Sequence, residues 1–313
     1  MARKALSISV AVAVVTAAGL AGTSRVTGDI HSASYKGSTV CKMCHKGMHK
    51  NIVEAYEKIA HPKAMQKASD AGAIVGDFSS NSAFTKDKVA YVLGKGRNEQ
   101  AYLDANHQVL PAVWDVKAKA WKPTQAADGA TQCIGCHVTG YDAAAKTYAE
   151  PGVGCEACHG PGGDHVGKPS KDNIVNSKSL PAAAQGQVCG QCHSLGKDTS
   201  GKYAFPVGFK PGDDLTKMFV DAKPTAPGRN QQYSELVSSK HGQLGFHCVT
   251  CHDPHNVAGQ AAQLKKPVND LCLGCHAGKV KDLATHAPGA PAGATCATCH
   301  MRDGQHRFAK LGT

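Results

Sequence analysis

The sequence is poor in the side chains that usually fill a protein core. Aromatic residues make up 5% of its 313 residues and charged residues 19%. After about residue 30 it has no apolar run of about 18 residues, the length that a membrane-spanning helix needs. Cysteine occurs 14 times, too often for a cytosolic enzyme that uses an occasional thiol. A soluble fold that depends on Phe, Trp and Tyr for burial is therefore excluded, and another component is expected to fill the interior.

The N-terminus has the pattern of a secretory signal peptide. Arg3 and Lys4 precede an apolar stretch, and the small residues Gly19 and Ala21 suit a cleavage site. We expect a signal peptide over residues 1–21 and export to the periplasm or the extracellular space. An uncleaved N-terminal anchor is the alternative. After cleavage we expect no integral membrane segment.

All 14 cysteines fall in one repeated pattern, C-x-x-C-H, which is the attachment signature of c-type haem. Two thiols three residues apart reach the two vinyl groups on one porphyrin edge, and the adjacent histidine supplies the proximal nitrogen to the iron. The sequence therefore predicts seven covalently bound haem c groups. In chain order, the first to seventh motifs are Cys41, Cys44 and His45; Cys133, Cys136 and His137; Cys155, Cys158 and His159; Cys189, Cys192 and His193; Cys248, Cys251 and His252; Cys272, Cys275 and His276; and Cys296, Cys299 and His300.

Three other uses of cysteine fit this pattern less well. A disulfide framework is the default in an exported protein, but it does not require paired spacing. Zinc ribbons use C-x-x-C pairs without a histidine after every second cysteine. A thioredoxin-type dithiol would occur once, beside a βαβ unit.

The motifs are unevenly distributed along the chain. A long gap separates the first motif from the second, whereas the last three begin at Cys248, Cys272 and Cys296, at a spacing of 24 residues. We expect an N-terminal region over residues 22–128 with one haem and a haem-dense region over residues 129–313 with six. The fold class we expect is mainly α and loop-rich, with the haem groups forming the core.

Ten histidines remain as candidates for the distal iron ligand. His241 ends a predicted helix over residues 232–241, on a stripe with Tyr233, Leu236 and Val237. His165 and His255 each follow a motif after a proline turn, so each is expected to reach a neighbouring haem. His286 and His306 bracket the seventh motif.

The other five histidines are less clear from the pattern. His61 lies off the stripe of a predicted helix over residues 49–67 that Pro62 ends or bends. We expect one of His31, His49, His107 and His247 to complete the set of seven, and we select His49. Met ligation is expected for at most one haem, because Met43 and Met301 lie beside a proximal histidine and the mature chain otherwise offers only Met48, Met65 and Met218.

The chain resembles multihaem cytochromes of the cytochrome c-554 superfamily, which includes the electron acceptor of hydroxylamine oxidoreductase. The similar stretches include C-E-A-C-H-G-P-G over 155–162 and C-H-D-P-H over 251–255. The resemblance implies a helical, loop-rich fold with a small β-hairpin near residues 100–122, and haems in stacked and perpendicular pairs. It also implies the distal ligands His61, His165, His241, His255, His286 and His306. Seven motifs exceed the family's four, and no C-x-x-C-K is present.

We expect an electron carrier that connects respiratory redox partners, such as other cytochromes or a quinol-oxidising complex, in an anaerobic chain. A homopolymeric filament, in which a distal histidine ligates a haem of the next protomer, is a variant of this hypothesis. The alternative is an enzyme that acts on a small nitrogen or sulfur compound at one five-coordinate haem. A structural or sensing role is a further alternative.

The formal charge of +11 resembles a nucleic-acid footprint. Removing Arg3 and Lys4 leaves about +9, and the propionates and irons of seven haems bring an oxidised holoprotein to about +2. The basic side chains therefore compensate for cofactor charge, and no nucleic-acid partner is expected.

Overall fold

The computed structural model describes residues 32–80, 83–223, 225–226, 228–280 and 282–309. The predicted signal peptide and His31 lie outside these residues.

The helices are short. They are α1 (Ser38–Met48), α2 (Lys50–Lys58), α3 (Gly129–Gln132), α4 (Ile134–His137), α5 (Cys155–His159), α6 (Gly163–Gly167), α7 (Ala182–Gly190), α8 (Gln232–Ser238), α9 (Lys240–Gln243), α10 (Cys248–Cys251), α11 (Val268–His276), α12 (Leu283–His286) and α13 (Cys296–His300). Single 3₁₀ turns cover His61–Lys63, Phe78–Ser80, Lys86–Lys88, Ser177–Ser179, Leu215–Lys217, Ala261–Gln263, Ala277–Lys279 and Arg302–Gly304. Every C-x-x-C-H motif lies in a helix or at its end, and a helical turn brings residues i and i+3 to the same side.

A five-stranded antiparallel sheet occupies the gap between the first two motifs. Its strands are β1 (Met65–Lys67), β2 (Tyr91–Leu93), β3 (Glu99–Leu103), β4 (Ala112–Asp115) and β5 (Ala120–Pro123), paired in chain order. Two two-stranded ribbons follow, formed by β6 (Val138–Thr139) with β7 (Glu150–Pro151) and by β8 (Gly196–Asp198) with β9 (Phe219–Asp221).

The two faces of the five-stranded sheet bury different residues, because side chains alternate along a strand. On one face Val92 and Tyr102 pack with Trp114, next to Trp121. On the other face a second cluster joins the sheet to the helix of the second motif and contains Met65, Leu93, Leu103, Ile134 and Val138. The sheet therefore carries a side-chain core and supports the second motif.

The structure differs from the sequence expectations in three elements. The expected hairpin near residues 100–122 is part of the five-stranded sheet, whose first two strands are too short to show an alternating pattern. The helix expected over residues 49–67 ends at Lys58 and gives way to a 3₁₀ turn at His61 and to β1. The helix expected over residues 232–241 breaks at Ser239, whose hydroxyl caps α9, and Val237 of the expected apolar stripe is 52% exposed.

The described residues near the C-terminus form no core of buried side chains. Between Lys240 and Ala309 no residue that the structure describes is buried. Among the described residues, none of the helices has the length and apolar composition that crossing a membrane requires.

Candidate haem sites

The 14 cysteines all lie in the described part of the chain, and no disulfide joins any two of them. In the second motif, the helical turn needs a glycine between the cysteines. A Cβ atom on Gly135 would lie 2.1 Å from the ring of Phe205, which packs directly against the turn. Because no disulfide consumes the thiols, they are available for thioether bonds. Phe205 packs closely on the turn that carries the cysteines of the second motif.

Six of the seven motif histidines face a second imidazole. The ring centroids are 5.9–6.3 Å apart in the pairs His45 with His165, His61 with His193, His159 with His255, His241 with His276, His252 with His306, and His286 with His300. Two imidazoles that bind one metal from opposite sides, each with a metal–nitrogen distance of about 2 Å, have centroids about 6 Å apart. The residues present therefore fit six bis-histidine irons.

The pairs combine distant parts of the chain. His165 follows the third motif but faces the histidine of the first, and His255 follows the fifth motif but faces the histidine of the third. His61 reaches His193 from the 3₁₀ turn after α2. The six histidines that face a motif histidine are the same six that the resemblance implies.

Backbone carbonyls orient many of these rings. Nδ1 of His137 donates to Ala64 O at 2.9 Å, and Nδ1 of His159 donates to Val175 O at 2.7 Å. Similar bonds hold His252, His300, His165 and His306. A hydrogen bond from Nδ1 fixes the tautomer that leaves the Nε2 lone pair free for a metal.

Burial keeps several of the imidazoles neutral. Desolvation, with the nearby His193 ring, lowers the pKa of His61 to about 4. Burial also lowers the pKa of His137, His193, His252, His255 and His306. A neutral imidazole is the form that binds iron, so these rings are ready to act as ligands at neutral pH.

Within the described residues, His137 is the motif histidine without an imidazole partner. No histidine ring in the described part of the chain faces it at the distance found for the other six. His49, selected as the seventh distal ligand, stacks instead on His45 with ring centroids 5.5 Å apart. His247 directly precedes the fifth motif and caps α10, where its backbone N–H donates to Thr250 Oγ1 at 3.2 Å.

His107 occupies a turn, with φ 63°. Its ring lies between Tyr91 and Tyr148, at centroid distances of 5.0 and 6.2 Å. Its Nε2 is buried without a hydrogen-bond partner. The His107 ring packs against Tyr91 of the sheet, and no contact joins it to a motif histidine in the described chain.

Two buried glutamates position motif segments, and neither was predicted from the sequence. Glu156, inside the third motif, accepts hydrogen bonds from the backbone N–H groups of Lys36, Gly37 and Gly162 at 2.7–3.0 Å. It thereby holds the segment before the first motif against the third. A carboxylate between two haem-binding cysteines is the signal that could have indicated such a role.

Glu235 in α8 holds the segment that carries His306. It accepts from the backbone N–H of His306 at 2.8 Å, from Arg307 Nε at 3.2 Å and from Gln231 Nε2 at 2.9 Å. Its side chain is 2% exposed. No sequence pattern distinguishes this glutamate from the other acidic residues, because its partners lie about 70 residues further along the chain.

Cysteines of different motifs lie close together. Cys41 lies beside Cys155, Cys136 beside Cys192, Cys189 beside Cys248 and Cys272 beside Cys296. Because a thioether sulfur is bonded to the porphyrin edge, such contacts bring the edges of two haem sites together.

Two family matches cover parts of the chain. Residues 97–160 match the family of cytochrome c554 and c-prime, and residues 241–281 match the doubled CXXCH motif. The first match spans the last three strands of the sheet and the second and third motifs.

Two curated proteins are similar in sequence. The dissimilatory sulfite reductase MccA of Wolinella succinogenes is 29% identical over 182 residues, which is 50% of this chain and 23% of MccA. The multiheme cytochrome MtrA of Shewanella baltica is 28% identical over 189 residues, which is 51% of this chain and 56% of MtrA. The chain thus matches less than two thirds of the length of either relative.

Solved structures share the fold. The outer cell wall cytochrome OcwA superposes with a TM-score of 0.71 at 23% identity, over 85% of this chain and 77% of OcwA. The undecaheme cytochrome from the S-layer of Carboxydothermus ferrireducens has a TM-score of 0.58 at 22% identity, over 90% of this chain and 52% of that protein. The C-x-x-C-H motifs, the two family matches and the similarity to the multiheme cytochrome MtrA, together with this shared fold, confirm the resemblance seen in the sequence: the chain is a multihaem c-type cytochrome.

Proposed function

We propose that the chain is an exported heptahaem cytochrome that carries electrons along a series of mostly bis-histidine haems. The observation that carries this proposal is the set of six facing imidazole pairs. Two protein ligands close both axial positions of an iron, which suits outer-sphere electron transfer and leaves no position for a substrate.

Bound haem c supplies reversible one-electron chemistry at its iron. The protein contributes the ligands, their orientation and the separation of the sites. Carbonyls such as Ala64 O and Val175 O hold the imidazole planes, so little rearrangement is needed between oxidation states. Histidine in place of methionine on the distal side favours low potentials. These features support a carrier that works at the low-potential end of a respiratory chain.

The setting of this carrier is also a proposal. The relatives include proteins named for an outer cell wall and an S-layer, and MtrA is named a multiheme cytochrome. By analogy we place this chain in the periplasm or outside the cell, with other cytochromes or a quinol-oxidising complex as partners. A homopolymer would need one histidine to bind a haem of the next protomer, and the exposed His49 is the described candidate.

Mass spectrometry and EPR spectroscopy of the holoprotein test the carrier. We expect a mass increase of seven haems and ferric spectra dominated by low-spin signals. Fewer than seven haems would refute the count. A predominance of high-spin signals would refute the bis-histidine assignment.

A second candidate function follows from His137. Because no described imidazole faces it, the haem of the second motif is a candidate for an open axial position, where a small nitrogen or sulfur compound could be reduced. The partial similarity to MccA, which is named a sulfite reductase, is consistent with this reading.

The ligand outside the described residues that could close this position is His31. We would compare ferric EPR spectra of the wild type and His31→Ala, with and without nitrite or sulfite. One high-spin signal in the wild type that responds to either anion supports the enzyme. A high-spin signal that is present only in His31→Ala would show that His31 closes the site and would overturn it.

A further inference from the structure

The contacts between cysteines give the motifs a spatial order that differs from their order in the chain. Cys41 of the first motif touches Cys155 of the third. The hydroxyl of Ser38, three residues before Cys41, also accepts from Cys155 N at 3.0 Å. At the other end, Cys272 touches Cys296, and Asn269 Oδ1 accepts from Cys296 N at 2.9 Å. Through these contacts the first motif meets the third, and the seventh motif meets the sixth.

The fourth motif, Cys189 to His193, has more neighbours. Cys189 touches Cys248 of the fifth motif, whose sulfur also lies 4.0 Å from Gly186 O. Cys192 touches Cys136 of the second motif. The third motif also reaches the fourth, since Ala157 O accepts a hydrogen bond from Gln191 Nε2 at 3.1 Å. Three different motifs therefore meet at the fourth.

Gln191, between the two cysteines of the fourth motif, participates in two of these contacts. Its side-chain amide donates to Ala157 O inside the third motif at 3.1 Å and to Val188 O at 2.8 Å. Its own carbonyl lies 3.8 Å from the sulfur of Cys136 in the second motif. One half-buried residue thus bridges the fourth motif to the third and the second.

The second motif has a different position. Among the described residues, its cysteines touch another motif only at Cys192 and Gln191. The fifth and sixth motifs continue the series. Cys251 O accepts from Lys265 N, just before the helix of the sixth motif, at 3.0 Å, and His241, just before the fifth motif, faces His276 of the sixth. The series from the first to the seventh motif therefore runs through the third, fourth, fifth and sixth, and the second lies beside it.

We infer that the fourth motif is a three-way junction, at which Gln191 holds the site of the second motif as a side branch of the main electron route. This inference rests on the proposed function, because it assumes that each motif carries its haem. The reduction potential of the fourth haem would then control electron transfer along the main route and also electron transfer to the second haem. Neither the first nor the seventh site has such a role.

The junction can be tested by interaction potentials, which are the shifts that reduction of one haem causes in the reduction potentials of the others. Met in place of a distal His raises a haem potential, so His61→Met makes the fourth haem accept an electron first. The added negative charge lowers the potential of each adjacent haem by Coulomb repulsion, which fades with distance. Following the haem methyl NMR signals through a redox titration of the holoprotein, we expect three other haems, those of the second, third and fifth motifs, to shift to lower potential.

His286→Met is the matched control, because it makes the same change at the seventh haem. There we expect one shifted neighbour, the sixth haem. If His61→Met shifts only two neighbours, the fourth site is a simple link and the junction is wrong. If His61→Met leaves the fourth haem's own potential unchanged, the ligand assignment of the proposed function fails instead.

Iron positions in crystals of the unmodified holoprotein give a test that needs no variant. Anomalous scattering at the iron edge locates each iron, and we expect the fourth iron to have three nearest neighbours and the second iron one. Gln191→Ala then tests the positioning role: the interaction potentials of the fourth haem with the second and third should weaken, while that with the fifth stays. Equal weakening of all three would assign Gln191 a general structural role only.

Discussion

The sheet region, residues 65–123, and the C-terminal region, residues 240–309, differ in their content of buried side chains and haem motifs. The sheet region contains no haem motif, and Met65, Val92, Tyr102 and Leu103 are each at most 1% exposed there. The C-terminal region carries three motifs, and none of its described residues is buried. Both tryptophans of the chain lie in the sheet region.

This difference explains the composition of the chain. Aromatic side chains are not scarce everywhere, because Phe78, Phe84, Tyr102, Trp114 and Trp121 pack together in the sheet region. They are scarce where the motifs are dense, and we propose that porphyrins supply the apolar surface there. If so, the two regions depend on the cofactor to different extents, and they can be perturbed separately.

The largest expected effect comes from removing a haem in the C-terminal region. Cys272→Ser combined with Cys275→Ser abolishes the thioethers of the sixth site. The C-terminal region should then be cleaved by protease about tenfold faster or more, because its local stability depends on the cofactor. Limited proteolysis with mass spectrometry would map the cuts. Protection of residues 65–123 should persist, and an equally protected C-terminal region would contradict the proposed porphyrin core.

A core substitution should separate the regions in the other direction. Leu103→Ala removes a fully buried side chain and should cost the sheet region about 3 kcal/mol. Leu271→Ala, at a half-buried position in α11, is the matched control and should cost about 1 kcal/mol or less. Hydrogen exchange in denaturant reports each region separately. Equal losses would mean that the C-terminal region has a side-chain core after all.

A smaller effect is expected where α8 meets the C-terminal region. Glu235→Gln removes the buried charge that pairs with Arg307 and weakens the bond to His306 N, at a cost of about 2 kcal/mol. Partial release of His306 should appear as a high-spin fraction at the fifth haem in the ferric EPR spectrum. Asp270→Asn, at an exposed carboxylate in α11, should leave that spectrum unchanged. A fully low-spin Glu235→Gln protein would show that Glu235 does not position His306.

The smallest effect is a pH dependence in the sheet region. Burial lowers the pKa of His107, although Asp104 and Asp128 act in the opposite direction. The unfolded chain, with an ordinary histidine pKa of about 6.5, therefore binds more protons as pH falls. The contribution of the neutral His107 ring to the free energy of unfolding should be complete above about pH 6.5 and should decline below it. His107→Gln should reduce this slope in the exchange of β3 amides, whereas His49→Gln should not.

Part of the arrangement is predictable from short-range pattern. The motif cysteines and histidines are local signatures, and His165 and His255 follow from proline turns beside a motif. His61 needed the resemblance, because a 3₁₀ turn after α2 presents it and helical periodicity does not. The strand at Met65 pairs with Leu93 and is only three residues long, so its partner, not its own pattern, defines it.

Other features depend on contacts that no local pattern encodes. Which histidine faces which motif is decided by segments up to about 130 residues apart, as for His61 and His193. His49 was a reasonable candidate by its spacing from His45, yet on the same helical surface it stacks on that ring instead of facing another motif. Glu156 and Glu235 acquire their importance only from backbone groups that reach them from distant segments.

The hydrogen bonds of Glu156 also bear on how the protein is assembled. Lys36 and Gly37 bond to a carboxylate 119–120 residues later in the chain, so these two hydrogen bonds cannot form until the third motif has been synthesised. Contacts of such sequence separation form slowly. If this contact orders the segment of the first motif, Cys41 and Cys44 would stay accessible until the third motif arrives. The distant position of this glutamate would give haem attachment time to precede folding.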